Sequence, residues 1–487
     1  MKNIETLFLL FISIACLNCS EPSSSNLIYQ RLKPCQINDL DSTIRCGTFP
    51  VFENRQTKSG RKINLYVVVI PAVHRSQFKP PIFCLDGGPG VAQTNATSFY
   101  SDSINYYRLE HDVVLIDVRG TGHSNPLHCR QLQFKGNLKQ QFTEMYPVEA
   151  VSKCYDSLSK IVDLTQYTTT NMAIDMEEIR KWLGYDKINL FGLSFGGRLA
   201  QVYMKMFPNS VASCLLWSPT TTYSKLPLYH SFFAEESIKK IFKDCKDDSL
   251  CNLTFPNFKE EFIDLIMRGR KKPFEYKFKS AIGETQDIII PWFSFQTKIR
   301  SLMYSPLGIR QIPFIVHQSY LGNWQAFLSL FPDKSSYDDL IAEGLYLCVT
   351  CSEDVPYISK IEEDSLTRGT FAGNYRIEQQ RNACGKWVRG TVPDNFFEPV
   401  TSTIPTVLFS GYFDPVTAPS MVKKIEQTLP NSFLITIPTM SHVLDGLSNV
   451  ECFDKMAVDF FNNPGVRPNG DCIKTMLPMA YKTKEKQ

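Results

Sequence analysis

Three side chains far apart in the chain have the types that nucleophilic catalysis needs: Ser194, Asp414 and His442. A serine hydroxyl is a weak nucleophile at neutral pH, so it needs a general base to take its proton and an acid to orient that base. Ser194 lies in Gly192-Leu193-Ser194-Phe195-Gly196-Gly197, a G-x-S-x-G stretch. Such a turn holds a serine out of a sheet only where a strand precedes it and a helix follows. Lys187–Phe191 reads as a short buried strand, and Arg198–Phe207 has helical periodicity. The glycines two positions either side of the serine make room for a strained turn, at the positive end of the following helix. Where this motif is used, the partners follow in the order Ser, Asp or Glu, His. Asp414 stands just after an apolar run ending at Ser410, and His442, the only histidine beyond it, stands just after one ending at Ile437. The other histidines, His123 and His128 among them, lack such placement.

An acyl-transfer site also needs backbone N–H donors aimed at the developing oxyanion. Phe195, next after the serine, supplies one. Gly87-Gly88-Pro89-Gly90 follows the strand-like Pro81–Asp86 and supplies the second, with Gly88 preferred and Gly87 as the alternative.

The elements that must carry these groups are legible as apolar runs. Ile63–Ile70, Pro81–Asp86, Val113–Asp117, Lys187–Phe191, Ser213–Ser218, Thr406–Ser410 and Phe433–Ile437 read as strands. Asn171–Leu183 has apolar residues at helical spacing and stops at Gly184. Short buried strands alternating with helices predict an α/β fold with a mainly parallel sheet covered on both faces. Residues 219–400 break that rhythm, with no clean strand alternation, and predict a large, mostly helical insertion before the acid-bearing strand; the alternative is a separate domain. The chain then divides as 1–26 leader and tether, 27–218 core, 219–400 cap and 401–487 core.

At 487 residues and a formal net charge of +3, the chain has neither the balance nor the clusters of a nucleic-acid binder; Arg268–Lys272 reads as a solvated surface run. Lys2 followed by Leu7–Ala15 reads as a secretion signal, too short to span a bilayer. The leader is similar to a bacterial lipoprotein signal, with Cys16 and Cys19 as the candidates for lipid attachment, although neither has the preferred residues before it. The expected location is therefore outside the cytoplasm: secreted, periplasmic or lipid-anchored. Fifteen cysteines in an exported chain predict disulfides. Local pairs are Cys35–Cys46, Cys129–Cys154, Cys245–Cys251 and Cys452–Cys472, with Cys351–Cys384 more distant. Setting aside Cys16 and Cys19 leaves an odd number, so at least one thiol is unpaired within the chain; Cys84 and Cys214 read as buried thiols. Cys348-Val-Thr-Cys351 has metal-ligand or redox spacing, but no second pair or nearby histidine supports either, and no metal or organic cofactor is expected.

Taken together, Gly87–Gly90, Asp117-Val-Arg119-Gly120-Thr-Gly122-His-Ser124, the Ser194 turn and Phe413-Asp414-Pro415-Val416-Thr417 resemble the proline iminopeptidase and tripeptidyl aminopeptidase group of α/β-hydrolases. Cys351-Ser352-Glu353-Asp354-Val355-Pro356, Cys384 with Trp387, and Cys452 resemble its larger, secreted tripeptidyl-aminopeptidase-like branch. The resemblance covers roughly residues 30 to 475. It implies an α/β-hydrolase fold and a serine aminopeptidase whose cap admits peptide N-termini, cutting through an acyl-enzyme. It also implies cap carboxylates that grip the substrate's free amine, for which Glu353 and Asp354 are candidates on motif position. Two residues depart from the pattern: Asp86 where small proline iminopeptidases carry histidine, and Ser441 where glycine usually precedes the histidine. Two other readings stand beside this one: an esterase or other small-molecule serine hydrolase, and an inactive hydrolase-fold binding protein, which loss of a triad member would mark.

Overall fold

The computed structural model describes residues 24–35, 43–74, 79–102, 104–133, 138–279, 283–331 and 340–484. The leader with Cys16 and Cys19, on which the export and lipid expectations rest, lies outside them. Ser24 and Ser25, read as part of a polar tether, instead open a helix, Ser24–Arg31.

In chain order the strands are β1 (Lys33–Pro34), β2 (Arg45–Phe52), β3 (Lys62–Ile70), β4 (Ile82–Leu85), β5 (Val113–Ile116), β6 (Ile188–Leu193), β7 (Val211–Trp217), β8 (Phe274–Lys279), β9 (Thr285–Ile290), β10 (Thr406–Gly411) and β11 (Ser432–Ile437). Nine form one sheet, in the order β1-β2-β3-β5-β4-β6-β7-β10-β11. The six from β5 to β11 pair in parallel, and β1, β2 and β3 form an antiparallel edge. Sequence and layer agree: β4 (IFCL) and β5 (VVLI) are buried throughout, as central parallel strands require.

Alternation along each strand feeds two cores. Phe83, Leu85, Val114 and Leu190 pack against Met172, Met176 and Ile179 of the helix Thr169–Leu183 and Leu199 of the helix Phe195–Met206. Their neighbours Ile82, Cys84, Leu115 and Phe191 face Phe453, Met456 and Phe460 of the helix Glu451–Asn462 on the other side. Because the strands run parallel, the loops leaving β4, β6, β10 and β11 emerge at one edge, where ligands bind in open α/β sheets.

The chain between β7 and β10 is mostly helical, including His230–Asp247, Phe258–Lys271, Trp292–Leu302, Glu343–Glu353 and Tyr375–Cys384. It also contains an antiparallel hairpin of β8 and β9, which the sequence reading did not anticipate. The cue was the two-residue period of Phe274, Tyr276 and Phe278 against Glu275, Lys277 and Lys279, short enough to be lost among the surrounding helical patterns. Leu345, Leu347 and Cys348 of this segment join the same core as Met176 and Leu199. Among the described residues, no helix is long and apolar enough to cross a membrane.

All five expected cysteine pairs are bridged: Cys35–Cys46, Cys129–Cys154, Cys245–Cys251, Cys351–Cys384 and Cys452–Cys472. Cys84, Cys214 and Cys348 are free and buried. Cys348 meets the Trp387 indole N–H at 3.3 Å, and Cys351 is committed to Cys384.

Candidate active site

Ser194 occupies the turn between β6 and the helix Phe195–Met206 with φ 55° and ψ −116°. An L-residue rarely adopts this backbone, and its surroundings hold it there. The Ser194 N–H donates to Trp217 O at 3.0 Å, and its carbonyl accepts from the N–H groups of Gly197 and Thr220 at 3.0 Å each. The flanking glycines are steric necessities. A Cβ on Gly192 would stand 2.6 Å from Gly196 O, and one on Gly196 would stand 2.0 Å from Leu85 O. Both obstacles are backbone, which cannot swing aside. Gly196→Ala is therefore expected to destabilise the fold by about 1–3 kcal/mol, read as a lower urea midpoint, with activity falling as the turn is pushed from the β4 loop.

Asp414 and His442, from the loops after β10 and β11, meet directly, with Nδ1 2.9 Å from Asp414 Oδ2. Both are buried. Burial alone would raise the Asp414 carboxyl. The adjacent His442 and the Thr417 N–H and hydroxyl outweigh it and hold the carboxyl below its ordinary range. Asp414 Oδ1 also accepts from the N–H groups of Val416 at 2.7 Å and Thr417 at 2.9 Å. With Nδ1 facing the carboxylate, Nε2 is the nitrogen left for a reacting group.

The segment between β7 and β10 helps seat the imidazole. Tyr304 O accepts from the N–H groups of His442 and Val443 at 3.0 Å each, and the Tyr304 ring meets the His442 ring edge-on at 5.2 Å. Ser441, in the place of the usual glycine, is buried and donates its hydroxyl to Met303 O.

The pair connects to the serine through backbone. Thr417 Oγ1 lies 2.7 Å from Asp414 Oδ2 and 2.9 Å from Ser218 O. Ser218 follows Trp217, whose carbonyl holds the Ser194 N–H. Strand register supports the same proximity, since Leu193 on β6 pairs with Trp217 on β7, and Trp217 with Phe409 on β10. The Ser194 hydroxyl makes no hydrogen bond to His442 among the described residues; such bonds are often long until substrate arrives.

The oxyanion candidates separate on their N–H partners. Gly87 N–H donates to Asp86 Oδ1 at 2.6 Å and is spent. Gly88 is exposed, has φ 110°, and its N–H has no partner among the described residues. The same holds for Phe195 N–H, at the first position of its helix, where no intrahelical acceptor exists. A Cβ on Gly87 would stand 3.5 Å from Ser194 Oγ, so this loop closes on the serine. Burial raises the Asp86 carboxyl despite the Gly87 bond.

Glu353 and Asp354 depart from the expectation of an amine anchor. Both are 0 % exposed and engaged internally. Asp354 forks onto Arg198 of the serine-bearing helix, at 3.0 Å and 2.8 Å, and accepts from Leu226 N–H at 2.8 Å. Glu353 accepts from Thr169 N–H and its hydroxyl at 2.6 Å each, and lies 3.6 Å from Arg198. A buried cation does need carboxylates, but here the cation is the chain's own arginine. The sequence reading also missed Arg198 itself, Thr417 and Tyr304. Thr417 was readable as a hydroxyl three residues after the acid. Arg198 and Tyr304 carry no local signal because their partners are more than a hundred residues away in sequence.

Two family profiles match the chain: "alpha/beta hydrolase fold" over residues 80–244 and "TAP-like protein" over residues 369–472. A tripeptidyl aminopeptidase of Streptomyces lividans is 28% identical over 194 residues, 36% of this chain and 35% of the relative. The serine protease Hip1 of Mycobacterium tuberculosis is 25% identical over 183 residues, 34% and 35% of the respective chains. A proline iminopeptidase of Aeromonas sobria is 30% identical over 133 residues, 27% and 26%. The chain thus spans about a third of the length of the curated relatives it matches. The first profile covers the strands that carry the glycine loop and Ser194, the second covers Asp414 and His442, and the three relatives above are named as peptidases. The chain belongs to the α/β-hydrolases, and its sequence is similar to proteins named tripeptidyl aminopeptidase and proline iminopeptidase.

Proposed function

We propose that the protein is a serine exopeptidase that releases short N-terminal segments, proline-containing ones among them, from peptides outside the cytoplasm. Ser194 is the nucleophile, His442 the general base and acid, Asp414 the residue that orients His442, and Gly88 with Phe195 the oxyanion donors. The observation that carries this reading is the convergence at one sheet edge of a serine in a strained turn, two unspent N–H donors and a carboxylate-held imidazole.

His442 Nε2 takes the hydroxyl proton as Ser194 Oγ bonds to the scissile carbonyl carbon. The resulting oxyanion is held by the two backbone donors, each contributing about 10²–10³ in rate. Collapse breaks the C–N bond, and His442 returns the proton to the departing amine. Water, deprotonated by His442, then cleaves the acyl ester and restores the serine. No step calls for a metal or an organic cofactor.

Peptide substrates are supported by the names of the relatives, and export by the leader and the five bridges. The test compares an unblocked tripeptidyl or aminoacyl reporter with its N-acetylated twin. Rates at least tenfold higher for the free amine are expected. Equal rates would remove the exopeptidase reading and leave an esterase-like hydrolase.

A further inference from the structure

We propose that Arg300, next to the Tyr304–His442 contact, binds a substrate carboxylate, with Arg376 as a second donor; the inference rests on the serine hydrolase reading above. Arg300, on the helix Trp292–Leu302, is 8 % exposed, yet its Nε and Nη2 are buried without any hydrogen-bond partner. Its guanidinium lies over the Tyr304 ring at 5.3 Å, and that ring contacts His442. Arg376, at the start of the helix Tyr375–Cys384, donates Nη2 to the Tyr346 hydroxyl at 2.9 Å while its Nε is likewise buried and unpartnered. Neither guanidinium forms an ion pair among the described residues.

Arg300 and His442 meet the same Tyr304 ring. Buried His230, whose Nδ1 is also unpartnered, feels the charges of Arg300, Arg376 and His442. Burial first, then those charges, push its imidazole well below the ordinary histidine range. Arg376 lies over the Tyr346 ring, 5.9 Å from its centroid.

Three other buried arginines have carboxylate partners, Arg119 with Asp175, Arg180 with Glu177 and Arg198 with Asp354, while buried Arg108 donates to the carbonyls of Ser101 and Pro71. Arg300 and Arg376 instead have aromatic faces and phenol oxygens. Rings hold a guanidinium in place, but they accept no in-plane N–H bond, which leaves Nε and Nη2 of Arg300 and Nε of Arg376 without acceptors. The Arg300 fork, one aromatic ring from the His442 imidazole, matches a planar carboxylate, which accepts two parallel N–H bonds, and Arg376 Nε offers one more donor. The carboxylate has two sources, an acidic side chain of the peptide or the free C-terminus of a short one.

Matched substrates separate them. One arm compares tripeptidyl aminomethylcoumarin reporters with Asp or Glu against Asn or Gln at each position. The other compares a free-acid oligoalanine with its C-terminal amide. In one arm the carboxylate member is expected to be favoured about tenfold or more in kcat/KM, mainly through KM. That ratio is expected to fall towards one in Arg300→Gln and in Arg376→Gln. Arg300→Lys, which keeps the charge without the fork, should recover part of it if Arg300→Gln folds poorly. Calorimetry of Ser194→Ala with the same pairs reads the preference without turnover, as a Kd ratio of the same size. Ratios near one in both arms of the wild-type protein, by turnover and by calorimetry, would overturn the proposal. So would equal losses on acidic and neutral substrates in both variants. Fluorophosphonate labelling of Ser194 and turnover of neutral reporters distinguish that result from failure of the hydrolase reading, which would abolish both.

Discussion

Ser194→Ala is expected to lower kcat by about 10⁶-fold and to abolish covalent labelling by a fluorophosphonate, with the circular dichroism spectrum and melting temperature near those of the parent. The size follows from the chemistry: without Oγ no acyl-enzyme forms, so donors and general base are left with no nucleophile to assist. What survives is whatever the oxyanion donors and binding contribute to direct attack by water, on the order of 10³–10⁴ over the uncatalysed rate. The strained backbone at this position supports the expectation of an intact fold. Ser194 spends its N–H and carbonyl, not its hydroxyl, on holding the turn. Labelling and turnover that persist in Ser194→Ala would move the chemistry to another residue.

The second large effect concerns stability. Arg198→Met should cost about 3–5 kcal/mol, measured as a fall in the urea midpoint, and should take activity with it. Arg198 is fully buried and sits one helical turn beyond the serine. It is the cation for Asp354 and Glu353, and its Nε donates to Thr221 O at 2.9 Å. Removing it leaves two carboxyl groups inside the protein with no positive partner. Burial already pushes Glu353 up to about 7 and raises Asp354, with Arg198 acting against both shifts. An unchanged midpoint in Arg198→Met would mean that both acids are accommodated as neutral groups and that the arginine is dispensable.

The parallel strands were readable because burial on both faces leaves uninterrupted apolar runs such as Val113–Ile116. The places of Ser194, Asp414 and His442 in the loops after β6, β10 and β11 were readable because each follows such a run. The antiparallel edge was harder. Strand β2 carries Gly47 and Pro50, is largely half-exposed, and gives no apolar run to see. Glu353 and Asp354 illustrate a different failure. A pair of carboxylates in a cap has one appearance in sequence whether it grips a substrate or an internal arginine. Only the fold brings Arg198 to them across some 150 positions. Arg300 and Arg376 are the converse: ordinary helical arginines in sequence, distinguished by N–H groups left without partners among the described residues.

The five bridges close loops with sequence separations from 6 to 33 residues. Two of them lie wholly within the helical segment between β7 and β10, and three wholly within the parts that build the main sheet. Among the described residues, no disulfide crosses the seam where Tyr304 O holds the His442 loop and Asp354 grips the serine-bearing helix. The alignment of nucleophile, base and overlying helices is thus a matter of reversible contacts alone. The bridges toughen each piece against unravelling, while the fit between the pieces stays adjustable.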